Sequence, residues 1–378
     1  MFSRSFNAFV ARIVLPFMLF ASFSALSRFK ATEKNEAVVE EVKPDISIEL
    51  YEEDEVPIHT ARQRRALEFA YNGTALKEKG YDEWSKPEKL ELTWTLVAEE
   101  GVEIDQYVIK VGTKEDLSDA RVFTSDKDSV KVDNFFLDTR YYWNVSCEYK
   151  GFTFESATST FVTSAEAPRF MNVEGVTNVR DIGGWSTLDG KVTRQGLVYR
   201  TARLHSDDEV VITENGKKTM TELMGIKTEI DIRNEVSDRP HSVIGENVKY
   251  VHLSTSYIFF DKKDGKETVY NFFKTLADED NYPLLFHCYI GTDRTGACAF
   301  MLLALLGVDP ADIKADYLMS NLAKIGGGRD GECIGEYIEQ LSHYDGDTLA
   351  ERAASYLLEV GLTADEIAFI RNYLTETK

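Results

Sequence analysis

A chain of 378 residues with 43 basic and 64 acidic side chains carries a formal net charge of -21. Such a surface repels nucleic acid and anionic membrane alike, which excludes both as general partners. The hydrophobic fraction of 43% is ordinary for a soluble globular protein, and the length leaves room for two domains.

Residues 1–28 carry Arg4 and Arg12, an apolar run over 13–21 and a small-residue end. That order is the pattern of a secretory signal peptide. The apolar run is short for a hydrocarbon core of about 30 Å, which favours cleavage. An uncleaved N-terminal anchor, lengthened by residues 6–11, is the alternative and the one membrane contact expected. The expected location is extracytoplasmic, either secreted or anchored at the cell surface. Residues 29–84 include Glu40-Glu41 and Glu52-Glu53-Asp54-Glu55. They read as an acidic, solvated linker with one short helix over 61–71.

From Leu90 the hydrophobic period is two: Leu90, Leu92, Trp94 and Leu96 alternate, as do Tyr107, Ile109 and Val111, and a further strand covers 141–149. Short strands between polar turns predict an antiparallel β-sandwich over 85–165. Trp94 with the later run Leu137-Asp138-Thr139-Arg140-Tyr141-Tyr142-Trp143-Asn144-Val145 resembles a fibronectin type III module. The resemblance implies a tyrosine at the corner, hydrogen-bonding back to the chain. A protein or glycan contact would belong to this module, although its aromatics serve more often as core than as ligand platform.

Residues 166–378 alternate strands (196–200, 228–232, 248–253, 284–287) with helices (219–224, 269–277, 296–306, 311–321, 349–360, 364–375). The predicted class is α/β: a central sheet flanked by helices, its site on loops at the strand ends, beside a separate N-terminal β-sandwich.

Within this part, His287-Cys288-Tyr289-Ile290-Gly291-Thr292-Asp293-Arg294-Thr295-Gly296 lies between the apolar run Leu284-Leu285-Phe286 and a Leu- and Ala-rich helix. A strand-loop-helix unit sets the loop's N–H groups at a helix N-terminus, where unpaired donors and the dipole favour an anion. Cys288 and Arg294 stand at the two ends of the loop, so a thiolate faces phosphorus while a guanidinium grips two of its oxygens. Free thiols, with a pKa of about 8.5, attack poorly at neutral pH until a helix N-terminus and a cation lower it. Thr295 is placed to hydrogen-bond the sulfur, Gly291 and Gly296 to let backbone approach phosphate, and Asp293 to protonate a departing oxygen.

This loop is similar to that of the cysteine-dependent phosphatases. Its Asp293-Arg294-Thr295-Gly296 ending resembles the bacterial tyrosine phosphatases related to secreted protein-tyrosine and phosphoinositide phosphatases. Asn178-Val179-Arg180-Asp181-Ile182-Gly183-Gly184, Val198-Tyr199-Arg200-Thr201-Ala202, Asp231-Ile232-Arg233 and Asp316-Tyr317-Leu318-Met319-Ser320-Asn321 agree with that family. The resemblance covers about residues 168–378. It implies a fold of the cysteine-phosphatase kind and a phosphoric monoester hydrolase with Cys288, Arg294, Asp293 and Thr295 catalytic. His287, Tyr289, Ile290, Gly291, Thr292 and Gly296 would line the substrate site, with Arg180, Asp231 and Arg233 contributing; a structural ion pair with Asp181 or another carboxylate is the equal alternative for Arg180. Many relatives carry lysine where this chain has Thr292, which removes a cation from the phosphate cradle.

Asp231 is the rival of Asp293 for the acid. Asp261 and Asp264 lie on a polar stretch read as a solvated turn or a closing lid. Arg200 and Arg203 could meet phosphate or solvate the surface, and Gly326-Gly327-Gly328-Arg329 reads as a surface loop sooner than a phosphate nest. Cys147, Cys288, Cys298 and Cys333 are too dispersed for a disulfide scaffold. No Cys/His spacing suggests zinc and no Walker A loop occurs, so neither metal nor cofactor is expected. The leading reading is an exported protein-tyrosine phosphatase acting through phosphocysteine on a phosphotyrosine protein or a small phosphomonoester. A phosphoinositide or inositol phosphate phosphatase with the same nucleophile, and a non-catalytic surface interaction protein, are the alternatives. Since every candidate lies beyond residue 165, a chain starting near Ala165 is expected to fold and stay active.

Overall fold

The computed structural model describes residues 42–51, 55–73, 82–205, 210–234, 241–258 and 260–378. The signal or anchor expected over 1–28 lies outside them. Among the described residues no helix is long and apolar enough to cross a membrane.

The stretch read as an acidic linker is instead partly built into the fold. It supplies β1 (Ser47–Leu50), β2 (Glu55–Val56) and α1 (Ala61–Tyr71). The acidic residues of both strands face outward, while Ile48 and Val56 face inward at 6% and 1% exposure. Average composition hid that alternation. The helix α1, expected over 61–71, starts with a reciprocal Thr60–Gln63 capping box and buries Ala66, Leu67 and Ala70 along one face.

Next come β3 (Leu90–Val97), β4 (Tyr107–Gly112), β5 (Arg121–Ser125), β6 (Ser129–Val132), β7 (Arg140–Tyr149), β8 (Phe152–Glu155) and β9 (Ser159–Thr163). They form an antiparallel sheet, β1-β3-β6, and a second sheet, β2-β9-β7-β4-β5, with β8 paired to β7. The second is antiparallel except for the parallel β2–β9 pair. Ile48, Leu92 and Trp94 of the first sheet share one apolar cluster with Ile109, Val145 and Phe161 of the second. The hydroxyl of Tyr141 accepts a hydrogen bond from the Phe136 N–H at 2.9 Å, the corner contact expected there.

The rest of the chain is α/β. Its strands are β10 (Arg180–Asp181), β11 (Lys191–Thr193), β12 (Val198–Thr201), β13 (Thr228–Asp231), β14 (Lys249–His252), β15 (Leu284–His287) and β16 (Thr375–Thr377). The helices are α2 (Glu214–Lys218), α3 (Lys263–Leu276), α4 (Asp293–Leu306), α5 (Pro310–Leu318), α6 (Glu332–Leu341), α7 (Leu349–Glu359) and α8 (Ala364–Tyr373). The central sheet runs β10-β12-β15-β13-β14, parallel except for β10. All four residues of β15 are buried at its middle: the apolar run Leu284-Leu285-Phe286 requires it, and His287 is buried with them. The following helix, α4, is buried from Arg294 to Leu306, with α5 and α7 packed on it, and stops at Gly307 in the left-handed conformation. The polar stretch around Asp261 and Asp264 leads into α3 and forms its first turn.

Both parts belong to one compact unit, Asp45–Lys378. Ala66, Leu67 and Ala70 of α1 lie in the same apolar cluster as Cys288 and α4, and α1 packs against α5. The Ser85 hydroxyl accepts from the Asn178 N–H at 2.8 Å, and Gln195 accepts from the Leu137 N–H at 2.8 Å. These contacts count against a chain starting near Ala165 standing alone. Burying one Leu side chain is worth about 1.5–3 kcal/mol, and such a cut uncovers the whole seat of α1. That truncated chain is expected to aggregate or to melt well below the full chain in a thermal scan. A soluble, cooperatively melting product as stable as the full chain would contradict this.

Candidate active site

At the end of β15 the register sets His287 beside Thr201 of β12 and Asp231 of β13, so the chain leaves the sheet at its carboxyl edge. Ligands of open α/β sheets collect at that edge. The loop then turns at Gly291, whose φ is 74°. A Cβ there would lie 2.4 Å from the Thr201 carbonyl oxygen, so only glycine fits.

Two side chains, Asn178 and Arg200, hold the loop from behind. The Asn178 side-chain amide donates to the carbonyls of Ile290 (3.1 Å) and Gly291 (3.2 Å), and Arg200 Nη2 donates to the latter at 3.0 Å. Asp316 of α5 fixes that arginine at Nη1 and also accepts from Arg180 Nε at 2.8 Å. Arg180 further donates to Asn178 Oδ1 and, at 2.9 Å, to the Ser320 hydroxyl. Because a trans peptide points its C=O and N–H in opposite directions, carbonyls turned backward leave the Gly291 and Thr292 N–H groups facing forward. Arg180, expected near substrate, is fully buried in this clamp. Arg200, expected at phosphate or solvent, is buried there too.

In front of the clamp, Cys288 is 1% exposed at the head of the loop. Arg294 lies in the first turn of α4, its Nη1 donating to Asn234 Oδ1 and to the Thr255 carbonyl, each at 3.0 Å. The guanidinium is thereby tied to the segments that follow β13 and β14. The hydroxyls of Thr292 and Thr295 are buried and have no hydrogen-bond partner among the described residues. The expected bond from Thr295 to the sulfur is not made here. Gly296 serves packing and not phosphate approach: a Cβ would lie 2.7 Å from the Tyr317 ring. At the rim, Tyr289 is 40% exposed and Ile290 partly so. The Arg203 guanidinium sits 3.9 Å from the centroid of the Tyr289 ring, and the Arg203 backbone N–H donates to the Tyr289 carbonyl at 3.2 Å.

Three further expected substrate contacts lie under the loop, out of a ligand's reach. His287 is fully buried, with Nε2 2.9 Å from Glu229 Oε1 and Nδ1 3.2 Å from the Cys288 carbonyl. Asp231 takes Arg233 Nε at 2.9 Å and Nη2 at 2.7 Å, and the Tyr250 hydroxyl at 2.9 Å. Burial pushes the Asp231 carboxyl up, but His287 and Arg233 outweigh it and hold the group well below the usual carboxylate range. At 0% exposure Asp231 has no open flank from which to reach a leaving group, which counts against it as the acid. Glu229, Asp231 and His287 converge within 4.8 Å, yet Ser242, Arg233 and Tyr250 already occupy these carboxylates. The triad is a hydrogen-bond network that orients His287.

Asp293 opens α4 and faces the outer side. Its Oδ1 accepts from Arg329 Nε at 2.9 Å and from the Tyr317 hydroxyl at 3.1 Å, and its Oδ2 from Arg329 Nη2 at 2.8 Å. Burial raises this carboxyl, but the Arg329 hydrogen bonds and charge outweigh that and hold it below its ordinary value.

A model of the tyrosine phosphatase family matches residues 171–376. The chain belongs to the tyrosine phosphatase family. It is a phosphomonoester hydrolase, and its substrate is accordingly a phosphomonoester. A Cupriavidus necator protein, provisionally named a tyrosine-protein phosphatase, is 27% identical over an alignment of 192 residues covering 41% of this chain and 67% of that protein. The solved core catalytic domain of the PP-IP phosphatase SIW14 from S. cerevisiae, in complex with citrate, is 15% identical over 38% of this chain and 86% of its own, with a TM-score of 0.29. A second Siw14 catalytic core is 16% identical over 42% and 85%, with a TM-score of 0.30.

What sequence reasoning missed in this tyrosine phosphatase is the support of the loop. Glu229 gave no signal beyond its place in a strand. Asp316 and Ser320 lay in a stretch noted for resemblance alone, with no role attached. Arg329 lies on a loop that does not join a strand to a helix, and nothing in that setting signals a role.

Proposed function

We propose that this phosphatase hydrolyses phosphotyrosine through a phosphocysteine intermediate. The thiolate of Cys288 attacks phosphorus as the P–O bond to the tyrosine oxygen breaks. Arg294 and the forward-facing N–H groups stabilise the three equatorial oxygens, and Asp293 gives its proton to the departing phenolate oxygen. Water then attacks phosphorus, the S–P bond breaks, and Asp293 recovers a proton from that water. The observation that carries this reading is the backward turn of the Ile290 and Gly291 carbonyls, which makes an anion cradle directly after the thiol. The exposed Tyr289 ring at the rim suits an aromatic carrier. The buried Thr292, with no long cation at that position, suits a monoester of modest charge over an inositol polyphosphate.

The N-terminal part is proposed to be a fibronectin type III-like sandwich, supported by two sheets around one core and by the Tyr141 corner. Export of the protein, secreted or held at the cell surface, is proposed from the composition of residues 1–28.

The test is an acid quench of the enzyme during turnover of a phosphotyrosine peptide, followed by peptide mapping, with phosphate expected on Cys288. In parallel, phosphoserine peptides, inositol phosphates and phosphoinositides are expected to turn over more slowly. Phosphate on no cysteine would sink the covalent route, and faster turnover of an inositol phosphate would replace the substrate class.

A further inference from the structure

The triple-glycine segment ending in Arg329 has no part in the mechanism above. Its arginine is nevertheless pinned twice. The Asn321 side chain grips its backbone, donating to the Arg329 carbonyl at 2.8 Å and accepting from the Arg329 N–H at 3.1 Å. The guanidinium lies against Asp293 with two parallel N–H···O bonds at 2.9 and 2.8 Å. A fork matched to a carboxylate fixes direction as well as distance.

We infer that Arg329 is a positioning residue for the dephosphorylation step: it aims the Asp293 carboxyl at the loop mouth and sets the pH above which that carboxyl can no longer donate. The inference rests on Asp293 being the acid of the proposed mechanism. In that step a proton leaves the Asp293 carboxyl for the departing oxygen as the S–P bond forms and the P–O bond breaks, so Asp293 must begin protonated. A fixed cation alongside favours the ionised form and shrinks the donating fraction at a given pH.

The other groups around Asp293 are Arg294 beside it on α4, Tyr317 on α5, and Cys333 and Tyr337 on α6. Burial pushes Tyr317, Cys333 and Tyr337 up, so these three stay neutral through the physiological range. Arg294 is held by Asn234 and the Thr255 carbonyl. Arg329 is therefore the neighbour whose removal changes the charge at Asp293 without dismantling the cradle. Its side chain is 39% exposed, which makes substitution tolerable to the fold.

The test is the pH dependence of kcat/KM on a phosphotyrosine peptide for wild type, Arg329→Met, Arg329→Gln and Arg329→Lys. Asp293 loses its proton as pH rises, so activity falls on the high-pH limb. Without the cation its pKa rises, and that limb should move to higher pH in both neutral variants. Each unit of movement is worth about tenfold in the donating fraction above the limb. Lysine should return the limb most of the way. In an Asp293→Asn background, Arg329→Met should move nothing.

A limb that stays put in both neutral variants, or one that still moves when Asp293 is Asn, would overturn the inference. A uniform loss at all pH values, restored by neither charge nor shape, would reduce Arg329 to a structural contact. The acid quench separates this from the mechanism itself. Phosphocysteine with an unmoved limb removes only the role of Arg329, whereas no phosphocysteine removes the underlying reading.

Discussion

Cys288→Ser is expected to abolish turnover while inorganic phosphate still binds within a few-fold of wild type. The serine hydroxyl does not ionise near neutral pH and finds no base in this loop: His287 is turned onto Glu229 and lies beneath it. Removing a nucleophile costs on the order of 10⁶-fold in kcat in a covalent hydrolase, and a loss on that scale is expected here. The forward-facing N–H groups survive, because the donors that turn the Ile290 and Gly291 carbonyls are Asn178 and Arg200. Steady-state assay with calorimetric titration of phosphate separates the two effects. Appreciable hydrolysis by folded Cys288→Ser protein would exclude the phosphocysteine route.

The second large effect is on stability. Among the described residues, Asp316 is the carboxylate paired with both buried guanidiniums, those of Arg180 and Arg200. Burial and the charge of Arg200 push Arg180 down to about 10 even with this counter-ion present. Burial pushes Asp316 up, but the two arginines outweigh it and hold it below its ordinary value. Two cations share one anion, which adds to the effect of burial at Arg180 and outweighs it at Asp316. Asp316→Asn keeps the shape and deletes the charge, leaving both cations buried without compensation. Breaking a buried pair in this way costs about 3–5 kcal/mol, to be read from urea denaturation. A loss under about 1 kcal/mol would mean that the clamp is not what holds the loop. Because the folded-state pKa of Asp316 is depressed, its contribution is fully present above the ordinary carboxylate range. It is lost as pH falls through the folded value.

The sequence revealed the attacking end of the site more fully than its support. His287 to Gly296 is contiguous, and its surrounding periodicity is unambiguous: an unbroken apolar run of strand length, then a run rich in helix formers. The supports come from β10, β12, β13 and α5, and only folding brings them to one place. A buried arginine and a surface arginine look alike in a string of letters: Arg200 reads as a contact to phosphate or solvent, and Arg180 as a substrate contact or a structural ion pair, the second being what Asp316 makes of it. Aspartates suffer the same ambiguity. Asp231 and Asp293 both looked able to donate a proton, and what separates them is burial, 0% exposure for the first and an open flank for the second. Among the elements, α6 escaped notice because Gly331 and a polar approach masked its start. The strands β1 and β2 escaped because one inward residue apiece is too little signal against an acidic background.

The seat of α1 on α5 bears on how the chain acquires its fold. The Tyr71 hydroxyl donates to Asp312 at 2.8 Å across 241 positions of sequence, and Trp84 N–H reaches the Leu322 carbonyl at 2.9 Å. At a synthesis rate of about 5–20 residues per second, the early helix waits on the order of ten seconds or more for its partner to be made. Throughout that interval Ala66, Leu67 and Ala70 form an apolar stripe with nothing to cover it. Closure over so long a loop is also slow in itself. A chaperone that shields exposed apolar surface should therefore raise the yield of active protein most when it is present during synthesis, and far less when added afterwards.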